Sequence, residues 1–302
     1  MLPTTPEYLT QALKKQYGEE LAAKIEQGFG FRRPVTLRVN TIRTDTERVC
    51  RALDEQGIAW ERVGWYADAL ILKGVREDAV QAMEMYERGE VYMQGLSAML
   101  PALALAPAAG ESVLDMAAAP GGKTTQLAAL SGNMASITAC EKNKIRADRL
   151  QFNIDRQGAR RTVVMNRDAR QLDDLFRFDK IMLDAPCTGS GTILLVEGEP
   201  QRRMDADWVK KTAATQAALL QKAMRLLRAG GEMVYSTCSV LACENEDVLD
   251  HVVKSAGGEI VPIEKTLLEA VPCLPTRIPG TMVVQPNALC EGFFVAKLRK
   301  KK

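Results

Sequence analysis

His251 is the only histidine in the 302 residues, and none of the seven cysteines belongs to a CxxC pair. The first scarcity leaves a serine triad or a histidine-ligated metal site dependent on that one residue, so no metal centre is expected. The second, with an odd count on a chain too large to need covalent staples, makes Cys50, Cys140, Cys187, Cys238, Cys243, Cys273 and Cys290 free thiols of a reducing compartment. An excess of one charge is also lacking, since 40 Lys and Arg face 38 Asp and Glu. An anionic partner must then be met by a local basic face rather than by a global field. Long apolar runs are missing: the longest low-polarity stretch, Ala98 to Ala109, is interrupted by Pro101 and Pro107 and is too short to cross a bilayer. The first residues show no basic patch followed by an apolar run, the mark of a secretory signal. The expectation is a cytoplasmic, monomeric protein.

What is present divides near residue 94. Residues 1–94 offer a polar amphipathic helix from Pro6 to Gln27, a strand at Val35 to Val39, a helix opening near Asp45 and short β-like pieces around Trp60 and Leu70. This pattern predicts a small α+β domain, with Gly89 to Gln94 as its last strand or the linker and Ser97 capping the next helix. Residues 95–302 alternate strand and helix: Ser112 to Asp115, Ser136 to Cys140, Thr162 to Met165, Lys180 to Asp184 and Glu232 to Ser236 read as strands. A helix capped by Asn143 and a long helix from Val209 to Arg228, with an apolar stripe at Ala213, Ala217, Leu220, Met224 and Leu227, lie between them. That order predicts an α/β domain with a Rossmann-like parallel sheet and ligands bound outside the carboxyl ends of its strands.

Chemistry should therefore lie in the loops after those strands. The first, Asp115 to Thr125, is rich in Ala and Gly and opens a helix, which lets backbone approach a nucleoside-bearing ligand. Gly122, Lys123 and Thr124 also end a Walker A loop, but Ala117 stands where that cradle requires glycine. Glu141 ends the second strand, twenty positions after Gly121, and suits the hydroxyls of a ribose. Asp168, after the third strand, can bond an adenine amino group or simply cap a turn.

Cys187 follows the fourth strand and Cys238 the fifth, both on polar turns at the ligand-binding edge. Carbon 5 of cytosine is a poor nucleophile, but a thiolate added to carbon 6 makes it enamine-like and able to attack a sulfonium methyl. Asp184, beside Cys187, can share a proton with ring nitrogen 3. A second thiol can assist when the adduct resolves. The remaining five cysteines read as small buried hydrophobes.

These motifs resemble the Nop/Sun family of RNA cytosine-5 methyltransferases, whose bacterial members modify ribosomal RNA and whose other members modify transfer RNA. The resemblance covers essentially the whole chain: Pro34 to Asn40 and Gly89 to Ser97 are similar to its N-terminal RNA-binding domain, and Glu244 to Glu246 and Glu291 to Lys297 to later catalytic motifs, the second implied to form the last strand. It implies that Cys238 is the nucleophile, that Cys187 assists release, that Asp184 contacts the cytosine and that Lys123 lies near the catalytic centre. S-adenosylmethionine is the implied cofactor, held by Asp115, Ala117, Ala118, Ala119, Pro120, Gly121, Gly122, Lys123, Glu141, Arg146, Asp168, Asp184 and Pro186. RNA is the implied partner, ribosomal before transfer RNA. Two departures stand out. Many members carry a Pro-His pair where this chain has Pro286 and Asn287, and larger bacterial members carry further C-terminal RNA-binding modules beyond the point where this sequence ends.

Arg32, Arg33, Arg38 and Arg43 cluster around the N-terminal strand, Arg202 and Arg203 follow the Cys187 loop, and clustered arginine beside a cleft suits phosphate. The target base must be single-stranded, looped or flipped out of its helix, because carbon 6 is inaccessible in a stacked duplex. Three rivals are distinguishable. A P-loop NTPase would need the missing glycine, a non-catalytic RNA-binding or assembly protein would not need both cysteine motifs, and the DNA enzymes place their nucleophile in the Pro-Cys motif.

Overall fold

The structure, a computed structural model, describes residues 3–253 and 255–302. Two sheets organise it. The smaller has the order β2-β3-β1-β4, from β1 (Thr36–Val39), β2 (Trp60–Val63), β3 (Tyr66–Leu72) and β4 (Val91–Met93). Every residue of β1 is buried, with β3 and β4 antiparallel at its edges, Leu37 and Val39 in the small core and Arg38 bonded to Gln94 and Thr125. The helices of this region are α1 (Glu7–Phe29), α2 (Thr46–Glu55), α3 (Glu77–Gln81) and α4 (Glu84–Glu87). Asp45 caps α2 by accepting from the Arg48 amide, and Val49, Cys50 and Leu53 bury one face of that helix against the small sheet. Although α1 precedes the small sheet in sequence, its Leu9, Leu13, Ala22, Ile25 and Phe29 join the core of the large one. Its helical path breaks at Gly18, whose φ of 78° belongs to the left-handed region.

The larger sheet has the order β11-β12-β13-β9-β8-β5-β6-β7, with β10 added against β13. Its strands are β5 (Ser112–Asp115), β6 (Ser136–Cys140), β7 (Thr162–Met165), β8 (Phe178–Asp184), β9 (Leu227–Thr237), β10 (Gly258–Val261), β11 (Cys273–Leu274), β12 (Met282–Val284) and β13 (Phe293–Lys300). The helices are α5 (Leu96–Leu105), α6 (Gly122–Leu130), α7 (Lys144–Gln157), α8 (Ala206–Leu226), α9 (Glu246–Val253) and α10 (Lys265–Leu268). The Rossmann-like core is present, but the sheet is mixed rather than parallel throughout. β5 to β9 pair in parallel, whereas β13 runs antiparallel to β9, β10 and β12. A parallel neighbour needs a long crossover, and the chain between β12 and β13 is only a short loop.

Three local expectations are corrected. The long helix begins at Ala206, capped by Asp205, and ends at Leu226, so Leu227 opens β9 instead of closing the helix. Within its stripe Leu220 and Met224 are fully buried, while Ala213 and Ala217 are half-buried. Ser97 does not cap α5, whose cap is Gly95. Its hydroxyl instead accepts from the Glu291 amide at 3.1 Å, tying the helix to the chain that leads into β13. Among the described residues no helix is long and apolar enough to cross a membrane.

Candidate active site at the carboxyl edge of the large sheet

The parallel pairing of β5 to β9 delivers five loops to one edge. After β5 the chain passes Met116 to Pro120 with only small or flexible side chains and enters α6 through Gly121, whose φ of 111° is left-handed. Gly122 is held for a different reason: a Cβ there would lie 3.2 Å from the Tyr92 ring of the small sheet. Asp115, buried at the end of β5, accepts from the Thr124 hydroxyl at 2.7 Å, and burial pushes its carboxyl up to about 6.

A cavity of about 240 Å³ opens beside this loop, and Ala117, Ala119, Glu141, Asp168, Asp184, Pro186, Cys187 and Cys238 are among the residues that line it. Lys142, Arg146, Arg167 and Arg170 also line it and give its mouth a basic rim. The Glu141 carboxylate, almost fully buried, accepts from the Asn143 amide at 2.8 Å with one oxygen. Its other oxygen lies 3.4 Å from Arg146, which also donates to the Ala119 carbonyl at 2.8 Å. Arg146 thus pins the loop after β5 to the end of β6. Asp168 accepts from the Arg170 amide and guanidinium, which holds its carboxyl below the usual range. It caps a turn and lines the cavity at once. A second cavity of about 240 Å³, at the joint of the two sheets, takes Asp115, Ala118, Pro120, Gly122 and Lys123 with Tyr92 and Gln94, and shares Ala117, Ala119 and Asp184 with the first. Gly121 lines neither and serves the turn alone.

The thiol side is built from side chains. The sulfurs of Cys187 and Cys238, 51 residues apart in sequence, lie 3.1 Å from each other. The hydrogen bond between them, together with burial, pushes the Cys187 thiol well above its ordinary value. Lys123 donates to Asp184 at 2.8 Å, and Ser236 donates to the other Asp184 oxygen at 2.8 Å. Burial pulls the Lys123 ammonium down, but the carboxylate it touches outweighs that and the net direction is up. The lysine a Walker A loop would offer to phosphate is therefore already paired. Cys50, Cys140 and Cys290 are buried as expected, whereas Cys243 is half-buried and Cys273 exposed, both away from the cavity.

One expected partner of RNA is corrected. Arg38 is fully buried between the sheets: it donates to the Gln94 side chain at 2.9 Å and the Thr125 hydroxyl at 2.8 Å and stacks over Tyr92. It cannot reach a phosphate. The register of β1 turns this side chain toward α6 rather than toward solvent. Arg33 bonds the Gly28 carbonyl, and Arg43 bonds the carbonyls of Asp155 and Arg156 at the end of α7. Arg32 and Arg203 stay exposed, the former paired with Glu199, and Arg202 braces the Gly189 turn. Asn287, standing where a Pro-His pair was looked for, uses its amide on its own loop, accepting from Leu289 and Cys290 and donating to Gln285.

Sequence reasoning missed Ser236 as a partner of Asp184 and Arg170 as a partner of Asp168. It also gave Glu244 no role, although this carboxylate is fully buried behind the thiols. Ser236 was legible only as the residue at the end of its strand. For Glu244 the sole signal was its place in a matched motif.

A family model described as 16S rRNA methyltransferase RsmB/F matches residues 102–299, and one described as the ferredoxin-like domain of the RsmF/B-like methyltransferases matches residues 5–77. The chain is 33% identical over 309 residues to the 25S rRNA (cytosine-C(5))-methyltransferase nop2 of Schizosaccharomyces pombe, covering 97% of this chain and 50% of that protein. It is 36% identical over 279 residues to the ribosomal RNA small subunit methyltransferase F of Vibrio cholerae, covering 88% of this chain and 57% of that one. The chain thus spans about half the length of these relatives. The crystal structure of NSun6 from Pyrococcus horikoshii with SFG superposes with a TM-score of 0.87 at 25% identity, covering 98% of both chains.

Proposed function

The chain belongs to the RsmB/F methyltransferase family, and on that premise we propose that it transfers a methyl group from S-adenosylmethionine to carbon 5 of a cytosine in RNA through a covalent adduct on Cys238. One observation carries the reading: two free thiols 3.1 Å apart, next to a lysine–carboxylate pair, line the same cavity as a ribose-competent carboxylate. The residues present fit the cofactor. Glu141, Asp168 and the small side chains of Ala117 and Ala119 line the cavity, and NSun6 of Pyrococcus horikoshii, a solved neighbour, holds SFG, an analogue of that molecule. The bound cofactor supplies an electrophilic methyl group.

The rest is the work of the chain. The Cys238 thiolate adds to carbon 6 of the cytosine, and Asp184, held by Lys123 and Ser236, relays a proton from the Lys123 ammonium to ring nitrogen 3 as charge enters the ring and takes it back when the adduct resolves. When a base removes the hydrogen of carbon 5, the bond between carbon 6 and sulfur breaks and its electron pair returns to Cys238. Cys187, whose thiol keeps its proton, donates to that departing sulfur. Residues 1–94 form the RNA-binding unit and 95–302 the catalytic unit. The basic rim of the cavity, with Arg32 and Arg203, meets phosphate in place of the buried Arg38. Ribosomal RNA is preferred to transfer RNA because the relatives are named for it. The enzyme acts as a monomer in the reducing cytoplasm, where its thiols stay free.

Labelled methyl transfer to ribosomal RNA, transfer RNA and DNA, with bisulfite mapping, tests this. The expected result is 5-methylcytosine at one position of ribosomal RNA and none in DNA. Methylated DNA, or tight binding of ATP without S-adenosylhomocysteine, would contradict it.

A further inference from the structure

Behind the thiols, the Glu244 carboxylate is fully buried and no cation pairs with it among the described residues. It accepts from the Thr188 amide at 2.8 Å, the Thr188 hydroxyl at 2.6 Å and the Ser239 hydroxyl at 2.6 Å. Thr188 adjoins Cys187 and Ser239 adjoins Cys238, so one side chain holds both thiol loops. A second tie, between the hydroxyls of Ser190 and Ser239 at 2.7 Å, runs in one direction only. The Ser239 proton is committed to Glu244, and its oxygen also accepts from the Leu241 amide, so Ser190 must be the donor. Every group that reaches the Glu244 carboxylate is a donor, so three hydrogen bonds from the two thiol loops converge on one side chain.

We propose that Glu244 is the positioning residue of the thiol pair: it locks the Cys187 and Cys238 loops to one another and so sets the sulfur–sulfur contact on which the difference between the two thiols depends. The two sulfurs meet unequal surroundings. The hydrogen bond with Cys238 and burial raise the Cys187 thiol most, and the Glu244 carboxylate that holds the next residue adds to that rise. The buried Tyr235 hydroxyl also interacts with Cys187, but it is neutral and donates to the Glu244 backbone carbonyl. Gln216 on α8 reaches the Pro186 carbonyl and brings no charge. Division of labour between the thiols, which rests on the function proposed above, then follows from a residue that touches neither substrate nor cofactor.

The positioning role is tested first without RNA. The full chain is treated with iodoacetamide at pH 8, and the rates of carbamidomethylation at Cys238 and Cys187 are read by peptide mass spectrometry. The parent should react at Cys238 first. Glu244→Gln keeps the shape but turns an amide donor toward donors, so Cys187 should become more reactive and the Cys238-to-Cys187 ratio should fall about fivefold or more. A folded Glu244→Gln protein with an unchanged ratio would overturn the proposal. Should that variant fail to fold, Ser239→Ala and Thr188→Val each remove one hydroxyl arm and leave the charge. Each should lower the ratio by a smaller factor, and no change in both would overturn it equally. A purely structural role would lower the melting temperature and leave the ratio alone. If the ratio moves while no variant ever forms an RNA adduct, the positioning role stands and the cytosine mechanism fails, so the two failures are distinct.

Discussion

The loop after β5 and the loops after β8 and β9 occupy the same edge of the same sheet, yet they are held in opposite ways. The first is shaped by backbone and by what its residues lack: small side chains from Ala117 to Gly122, a left-handed glycine, and Arg146 bonding a main-chain carbonyl. The other two are shaped by side chains that satisfy one another, with Lys123 and Ser236 on Asp184 and with Thr188 and Ser239 on Glu244. A ligand-binding cradle needs room and free polar groups, whereas a pair of reacting thiols needs fixed distances and controlled charge. The difference is one between leaving space and enforcing position.

The comparison breaks if damage to one side spreads to the other. Asp184→Asn should lower kcat on the order of 10²–10⁴-fold, the range for a lost general acid–base group, while S-adenosylhomocysteine affinity by calorimetry stays within about threefold. An equal loss in both would merge the two regions. Glu141→Ala should do the reverse, weakening that affinity about tenfold for the loss of a charge-assisted contact, with kcat nearly restored at saturating cofactor. The smallest effect concerns Asp115, whose folded value of about 6 lies above its usual 3.8 because it is buried. A raised carboxyl binds more protons folded than unfolded, so its contribution to stability is full below 3.8 and is lost as pH rises through about 6. Urea unfolding should show Asp115→Asn gaining on the order of 2 kcal/mol relative to the parent between pH 4 and pH 7.5. A constant difference across that range would remove burial as the cause.

Legibility in the sequence followed the same division. The backbone-shaped loop was visible because composition itself is the signal: alanines and glycines between Asp115 and Thr125, and Glu141 at a ribose-appropriate separation. The helix caps at Asp45 and Asn143 were equally plain, since capping is local. Contacts between distant residues were not. Cys187 and Cys238 could be placed on one edge but not at 3.1 Å, and Glu244 lies 56 residues from the Thr188 it holds. Arg38 misled for the same reason. In the sequence it is one arginine among several on an exposed-looking strand, and only the stacking of β1 against α6 buries it. Of the antiparallel flank only the last strand was legible, through the motif from Glu291 to Lys297, because β11 and β12 are two and three residues long, too short to show periodicity.

The central claim is that adjacent thiols do different things, and one gel tests it. The parent, Cys187→Ala and Cys238→Ala proteins are each mixed with labelled RNA and S-adenosylmethionine, denatured and resolved by electrophoresis, where only a covalent complex migrates with the protein. The account predicts little retained label in the parent, strong accumulation in Cys187→Ala, where the adduct forms but does not resolve, and none in Cys238→Ala, which cannot attack. Accumulation in Cys238→Ala with none in Cys187→Ala would reverse the assignment, and full methyl transfer by both variants without any adduct would contradict the thiol mechanism altogether.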